Sequence, residues 1–254
     1  MNTFDKVAKI YSDGRPGYPN EVYQIIDSYT GFSSESSLLE IGAGHGIATQ
    51  EILNFWNSKL CSIEPGNSLL KIAKSNISEN RNVSFFNCTF EDFQTNEVFN
   101  GILSATAFHW IEKSIKYRRA AELLSDDGFL ILYWNNYSIA EESSFQSIQK
   151  IYDKYHFDNS NSIDIRELQK LKIQKRQNEI NESINFTLIG HHEISNDLVY
   201  SKGRYIKLLK SFSTNAVSDS SLDRFYNKVS EFIDSIGGEI TLRVLVNIEI
   251  CRKN

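Results

Sequence analysis

The strongest constraint in this chain is a strand-to-helix junction built almost without side chains. Residues 37–41 (SLLEI) form a short apolar run that stops at Gly42, and Gly44 and Gly46 follow at once. Apolar residues then recur at helical spacing from Ile47 to Trp56. Glycines at such a junction let a ligand touch the main chain, where the opening helix presents N–H groups. The next apolar run, 60–63, closes on Glu64 and Pro65, 20 residues after Gly44. A carboxylate at that strand end can accept both hydroxyl protons of a ribose. The dinucleotide fingerprint G-x-G-x-x-G is not met, since its third glycine falls on Ile47, and no Gly-Lys-Ser/Thr exists for a phosphate loop.

The β-loop-α pattern continues. Residues 68–77 read as a helix, 83–87 and 101–105 as strands, 111–124 as a helix, Asp126-Asp127-Gly128 as a turn and 129–134 as a strong strand. Strands alternating with helices predict a parallel sheet covered on both faces. After Asn136 the composition turns polar, and 144–155 and 165–177 read as helices with no strand between them. The α/β pattern returns with a strand over 184–194, helices over 202–212 and 222–236, and a branched strand over 239–251 suited to an antiparallel place near the sheet edge. The expected organisation is an α/β domain of 1–136 and 184–254, opening on an N-terminal lid segment, with 137–183 as an inserted helical cap. That insert reads either as a cover over a binding site or as a solvated helical pair.

Charge narrows the partners. With 27 Lys and Arg against 32 Asp and Glu, the net charge of −5 provides no long-range attraction for nucleic acid. The sequence has no apolar run of membrane-spanning length, and its N-terminus lacks the apolar core of a signal peptide, so a cytoplasmic protein without a membrane partner is expected. Cys61, Cys88 and Cys251 are widely spaced within strand-like stretches and read as reduced core thiols. His191-His192 point to opposite faces of a strand and no carboxylate pair stands at ligand spacing, so no metal is expected.

Four ordered segments, E-I-G-A-G-H-G, I-E-P-G-N-S-L-L, N-C-T-F-E-D-F and S-A-T-A-F-H-W-I, resemble those of class I S-adenosylmethionine-dependent methyltransferases. The similarity covers nearly the whole chain and is nearest the bacterial small-molecule branch, through Arg15-Pro16-Gly17-Tyr18-Pro19 and Gly237-Gly238-Glu239. The resemblance implies a Rossmann-like, seven-stranded and mostly parallel sheet of order 3-2-1-4-5-7-6, last strand antiparallel, with helices on both faces. It implies S-adenosylmethionine as cofactor and S-adenosylhomocysteine as product. Gly42, Ala43, Gly44 and Gly46 would pass beneath the methionine part, with Glu40 fixing the loop or the amino group. Glu64 would hold the ribose, Pro65 and Leu69 would lie beside the adenine, and Thr89, Phe90 and Glu91 would meet its edge. Ser104 and Ala105 would complete that site, with Tyr11 and Arg15 closing over it and Arg15 pairing with the cofactor carboxylate.

Methyl transfer is an in-line displacement on a sulfonium, so alignment and exclusion of water can provide most of the acceleration. A base matters only for an acceptor that is protonated at working pH, and His109 is the candidate. Tyr18, Phe108, Trp110, Trp134, Asn135 and Tyr137 are the candidate acceptor-facing residues, with Asn136 beside them. The only prolines are Pro16, Pro19 and Pro65, and no Cys follows one. This excludes both the Asp/Asn-Pro-Pro-Tyr signature of amino-methylating nucleic-acid enzymes and the Pro-Cys nucleophile of cytosine-C5 enzymes. Thr106-Ala107-Phe108 stands where catechol-type enzymes carry metal-binding acids. The expected function is methyl transfer to O, N or carboxylate of a small molecule by a monomer or homodimer. The alternatives are a non-catalytic cofactor-binding protein of the same fold and an NAD-dependent oxidoreductase.

Overall fold

A computed structural model describes residues 14–77, 82–155, 165–212 and 219–254; Tyr11 lies outside them. Seven strands form one sheet in the order β3-β2-β1-β4-β5-β7-β6. They are β1 (Ser37–Ile41), β2 (Lys59–Ile63), β3 (Val83–Phe86), β4 (Phe99–Ala105), β5 (Leu124–Ile139), β6 (Phe186–Ser201) and β7 (Glu239–Lys253). β1 to β5 pair in parallel, and β7 runs antiparallel between β5 and β6. This is the implied order.

Strand alternation divides the core between the two faces of the sheet. Leu38, Leu103, Ile131, Tyr133, Val246 and Ile248 pack on one side, against Val22, Tyr23 and Ile26 of α1 (Asn20–Thr30) and Ile52 and Leu53 of α2 (Ile47–Trp56). Leu39, Ile41, Ile102, Leu130, Leu132 and Trp134 pack on the other, with Tyr117, Ala120 and Ala121 of α4 (Lys113–Leu123). Between these helices α3 (Asn67–Asn76) follows β2, and a short 3-10 turn, Phe108–Trp110, precedes α4.

Two strands outrun their sequence patterns. β5 starts at Leu124, but Leu124 pairs with Phe99 and Phe129 with Gly101, so the residues between are bulged from the ladder where the Asp126-Asp127-Gly128 turn is expected. Beyond Trp134, β5 stays paired with β7 as far as Ile139↔Leu242, and β6 stays paired to Ser201↔Glu239. The polar residues that end the apolar runs are held by the antiparallel ladder, which needs no apolar face to persist. Helices α5 (Glu142–Tyr155) and α6 (Ile165–Asn181) fall between β5 and β6, and α7 (Lys202–Lys210) and α8 (Asp219–Ser235) between β6 and β7.

Candidate active site

The glycine loop leaves β1 in left-handed conformations that glycine adopts without strain: φ is 80° at Gly42, 58° at Gly44 and 91° at Gly46. A side chain at Gly42 would stand 2.3 Å from Cβ of Ala107, whereas at Gly44 it would project into open space. Gly46 serves packing instead, because a Cβ there would meet Ala73 of α3 at 3.1 Å, and it lines none of the cavities described below. Backbone N–H groups of Gly42 and Ala43 bond to the carbonyl of Ile63 at 2.9 and 3.1 Å, tying the loop to the end of β2. Glu64 completes the tie, since its Oε2 accepts from N–H of Gly44 at 2.9 Å and its Oε1 from N–H of Gly66 at 2.7 Å.

A cavity of about 240 Å³ opens beside this loop. It is lined by Gly42, Gly44, Glu64, Pro65, Leu69, Thr89, Phe90, Glu91 and Ala105 among the expected residues, and by Cys88, Thr106 and Trp110. Cys88 is thus not a core thiol: it is half-buried at the cavity, while Cys61 and Cys251 are buried. The Thr89 hydroxyl bonds locally to Asp92 at 2.8 Å. Two expected contacts do not reach the cavity. Ser104 is fully buried and donates to the carbonyl of Ile41 at 3.0 Å. Glu40 is buried within the sheet, where Thr49 and Ser62 hydroxyls both donate to its Oε2, at 2.6 and 2.7 Å. Burial raises the Glu40 carboxyl to about 7 against these two bonds, which lower it. Glu40 fastens β1 to β2 and α2, supporting the loop from beneath.

A second cavity, about 400 Å³, lies past the end of β4 and along the last residues of β5. Its inner wall is Thr106, His109, Trp110 and Trp134 to Ile139; its outer wall is Phe145, Ile148 and Tyr152 of α5, Leu168, Lys172 and Arg176 of α6, and Tyr205, Leu208 and Leu209 of α7. Phe108 does not wall it: the ring is 1% exposed, edge-on to Tyr117 at 5.5 Å and under the ammonium of Lys116. Its neighbour Trp110 is 61% exposed and lines both cavities. A narrow notch of about 50 Å³ between them is lined by Arg15, Tyr18, Gly42, Ala43, Gly44, Thr106, Asn135 and Tyr137.

Thr106 lines all three spaces and was not singled out by the sequence. Its φ of 56° is unusual for a β-branched residue. It is held there by an N–H bond to Tyr133 O at 2.8 Å and a 2.9 Å bond between its hydroxyl and that of Tyr18. The Arg15 guanidinium bonds to Oγ and O of Ser211 at 3.2 and 3.3 Å and lies over Phe212, lining both the notch and the larger cavity. His109 Nδ1 accepts the indole N–H of Trp134 at 3.2 Å. Because indole only donates, a neutral His109 carries its proton on Nε2. Desolvation, then the cations Arg176, Lys116, Arg15 and Lys172, lower the imidazole below its ordinary value. Among the described residues no cluster of three His, Cys, Asp or Glu side chains is arranged to hold a metal ion.

Comparison with known proteins agrees with this layout. Residues 38–128 match the methyltransferase domain family. A Dictyostelium discoideum protein named as a methyltransferase is 27% identical over 157 residues, 61% of this chain and 56% of its own length. A Saccharomyces cerevisiae protein named as a probable S-adenosylmethionine-dependent methyltransferase is 28% identical over 151 residues, 57% of this chain and 50% of that one. The chain thus spans about half the length of the curated relatives it matches. A solved structure described as a type II methyltransferase from Anaeromyxobacter dehalogenans superposes over 94% of this chain and 97% of that one with a TM-score of 0.66 at 12% identity, a likeness of fold. The domain matched over residues 38–128, the strand order and the glycine-walled cavity at the ends of β1 and β2 together are those of a methyltransferase domain.

Proposed function

We propose that this protein binds S-adenosylmethionine in the smaller cavity and transfers its methyl group to O, N or carboxylate of a small organic acceptor held in the larger one. The observation that carries this reading is the meeting of the two cavities at Thr106 and Trp110. The residues fit the cofactor: Gly44 leaves a side chain's space open, and Glu64 lines the cavity with its carboxylate held by backbone N–H groups of Gly44 and Gly66. Gly42 and Gly44 would pass under the amino-acid part, Glu64 would take the ribose diol, and Leu69, Phe90 and Glu91 would bound the adenine. When bound, the sulfonium supplies an activated methyl group with a neutral leaving group. The chain's own part is alignment and dryness: Trp110 borders both spaces, Tyr18 and Arg15 stand at the notch, and the helices over the larger cavity act as its cover. The absence of a net positive field favours a small molecule over nucleic acid.

Calorimetry with S-adenosylhomocysteine tests the assignment. Binding is expected at micromolar concentration and should be lost in Gly44→Val combined with Glu64→Ala, where a branched side chain is placed at a positive φ and the diol acceptor is removed. Retained binding in that double variant, or preference for NADH over S-adenosylhomocysteine, overturns it.

A further inference from the structure

The lining of the larger cavity is one-sided in charge. Arg15, Lys172 and Arg176 contribute to it, and none of the described residues that line it is Asp or Glu. Lys172 and Arg176, with Leu168, occur every four residues and so form one row along α6, turned to the cavity. The Arg176 guanidinium stacks over the Trp134 ring at 4.0 Å, and its Nη1 is buried with no acceptor among the described residues. Of the acids whose charge acts on it, Glu179 is paired with Lys116 at 2.7 Å, and Glu249 meets His191 through Oε1 at 3.1 Å while its Oε2, like Arg176 Nη1, has no partner among the described residues. Burial lowers Arg176 to about 10, so it keeps its charge at neutral pH. A buried guanidinium N–H without an acceptor is costly, and a planar anion meets that need with paired bonds. Phe145, Ile148, Leu208, Leu209 and Leu242 give the same cavity an apolar wall.

The cavity is equally short of bases. Among the described residues the lining has no carboxylate and His109 is its one imidazole, whose acceptor nitrogen is taken by Trp134. Its Nε2–H donates rather than accepts. An alcohol, phenol or ammonium needs a proton removed before or during attack, whereas a carboxylate is already ionised.

We propose that the acceptor is an amphiphilic carboxylate, that Arg176 grips its carboxylate with Lys172 beside it, and that the carboxylate itself receives the methyl group as an ester. This rests on the methyltransferase reading above. A carboxylate oxygen forms the new C–O bond, and the methyl C–S bond breaks with its electron pair passing to sulfur. The products are a neutral methyl ester and S-adenosylhomocysteine, and no proton is released. The ester has lost the charge that Arg176 holds, so product leaves more readily than substrate. Arg176 is a specificity-determining residue in this scheme, and His109 donates a hydrogen bond.

The test uses the full chain loaded with S-adenosylhomocysteine and titrated with octanoate, octan-1-ol, octylamine and methyl octanoate. Octanoate should bind at least tenfold more tightly than the alcohol or the ester, and the amine most weakly. Arg176→Gln should abolish the preference and Arg176→Lys recover part of it, with S-adenosylhomocysteine affinity within twofold of the parent in both as the check on folding. Saturating octanoate with methyl-labelled S-adenosylmethionine should give a base-labile ester. Equal binding of alcohol and acid, octanoate affinity unchanged in Arg176→Gln, no octanoate binding at millimolar concentration, or no base-labile label each overturn the proposal. If octanoate binds and S-adenosylhomocysteine does not, the methyltransferase reading fails and the anion site survives.

Discussion

At the scale of single residues, Glu40 carries the clearest energetic signature. It is 1% exposed, its Oε1 has no partner among the described residues, and its carboxyl is raised to about 7 chiefly by burial. A folded-state pKa raised above the unfolded value of a carboxyl means that the folded protein holds the proton more tightly. The stabilisation is therefore complete below the unfolded pKa and is lost as pH rises through about 7. Glu51, also raised to about 7 by burial, acts in the same direction. Urea unfolding between pH 5 and 8 should show stability falling with pH, and Glu40→Gln should remove about 1–3 kcal/mol of that fall. An undiminished slope in the variant would mean that Glu40 ionises without cost. The glycine loop and Glu64 were legible in the sequence because backbone exposure and a strand-end carboxylate have few other uses. Gly46 was not, because a glycine required by helix packing on Ala73 has the same local signature as one required by a ligand. Thr106 was hidden for the opposite reason, since nothing in a threonine's neighbours announces that its backbone will be turned left-handed by distant partners.

At the scale of elements, α6 decides whether the larger cavity has a wall. Its polar sequence reads either as a cover or as a solvated helix, and the helix is fastened at several points. Arg166 pairs with Glu142 of α5 at 2.9 Å, Gln169 donates to the carbonyl of Tyr137 at 2.6 Å, and Lys116 of α4 pairs with Glu179 at 2.7 Å. The Lys116–Glu179 pair matters most, because its side chains are only 7% and 16% exposed and the ammonium also lies over the Phe108 and Tyr117 rings. Removing one partner leaves the other charge half-desolvated, so Lys116→Met is expected to cost about 2–4 kcal/mol, while Lys116→Met with Glu179→Leu recovers most of it. A double-mutant cycle in chemical denaturation measures this; additive single effects would show that the pair is not coupled. The sheet strands were legible from apolar runs, and the two ends that were misjudged, β5 past Trp134 and β6 past Ile194, are segments that pairing with β7 holds straight. A cover formed by the insert was legible, but which residues face the larger cavity was not, because Lys172 and Arg176 on a polar helix carry no periodic signal that separates a cavity face from a solvent face.

At the scale of the whole molecule, the N-terminal stretch joins the parts that form the two cavities. Backbone N–H of Tyr18 donates to Glu51 of α2 at 3.0 Å, its hydroxyl meets Thr106 after β4, and Asn135 of β5 reaches the carbonyl of Pro16. On the other side Tyr200 of β6 donates to the carbonyl of Gly14 at 3.0 Å, and Arg15 bonds to Ser211 at the end of α7. One short segment is therefore anchored both beside the glycine loop and to the helical wall of the larger cavity. A ligand that contacts this segment from either side is expected to change how it is held for the other, which would couple the two sites. S-adenosylhomocysteine should tighten octanoate about fivefold, and by linkage octanoate should tighten S-adenosylhomocysteine by the same factor. Because Arg15 lines both the notch and the larger cavity, Arg15→Ala should reduce that factor toward unity, beyond any change in either affinity alone. Paired titrations with each ligand in the presence and absence of the other measure the factor, and an unchanged factor in Arg15→Ala would place the coupling outside this segment.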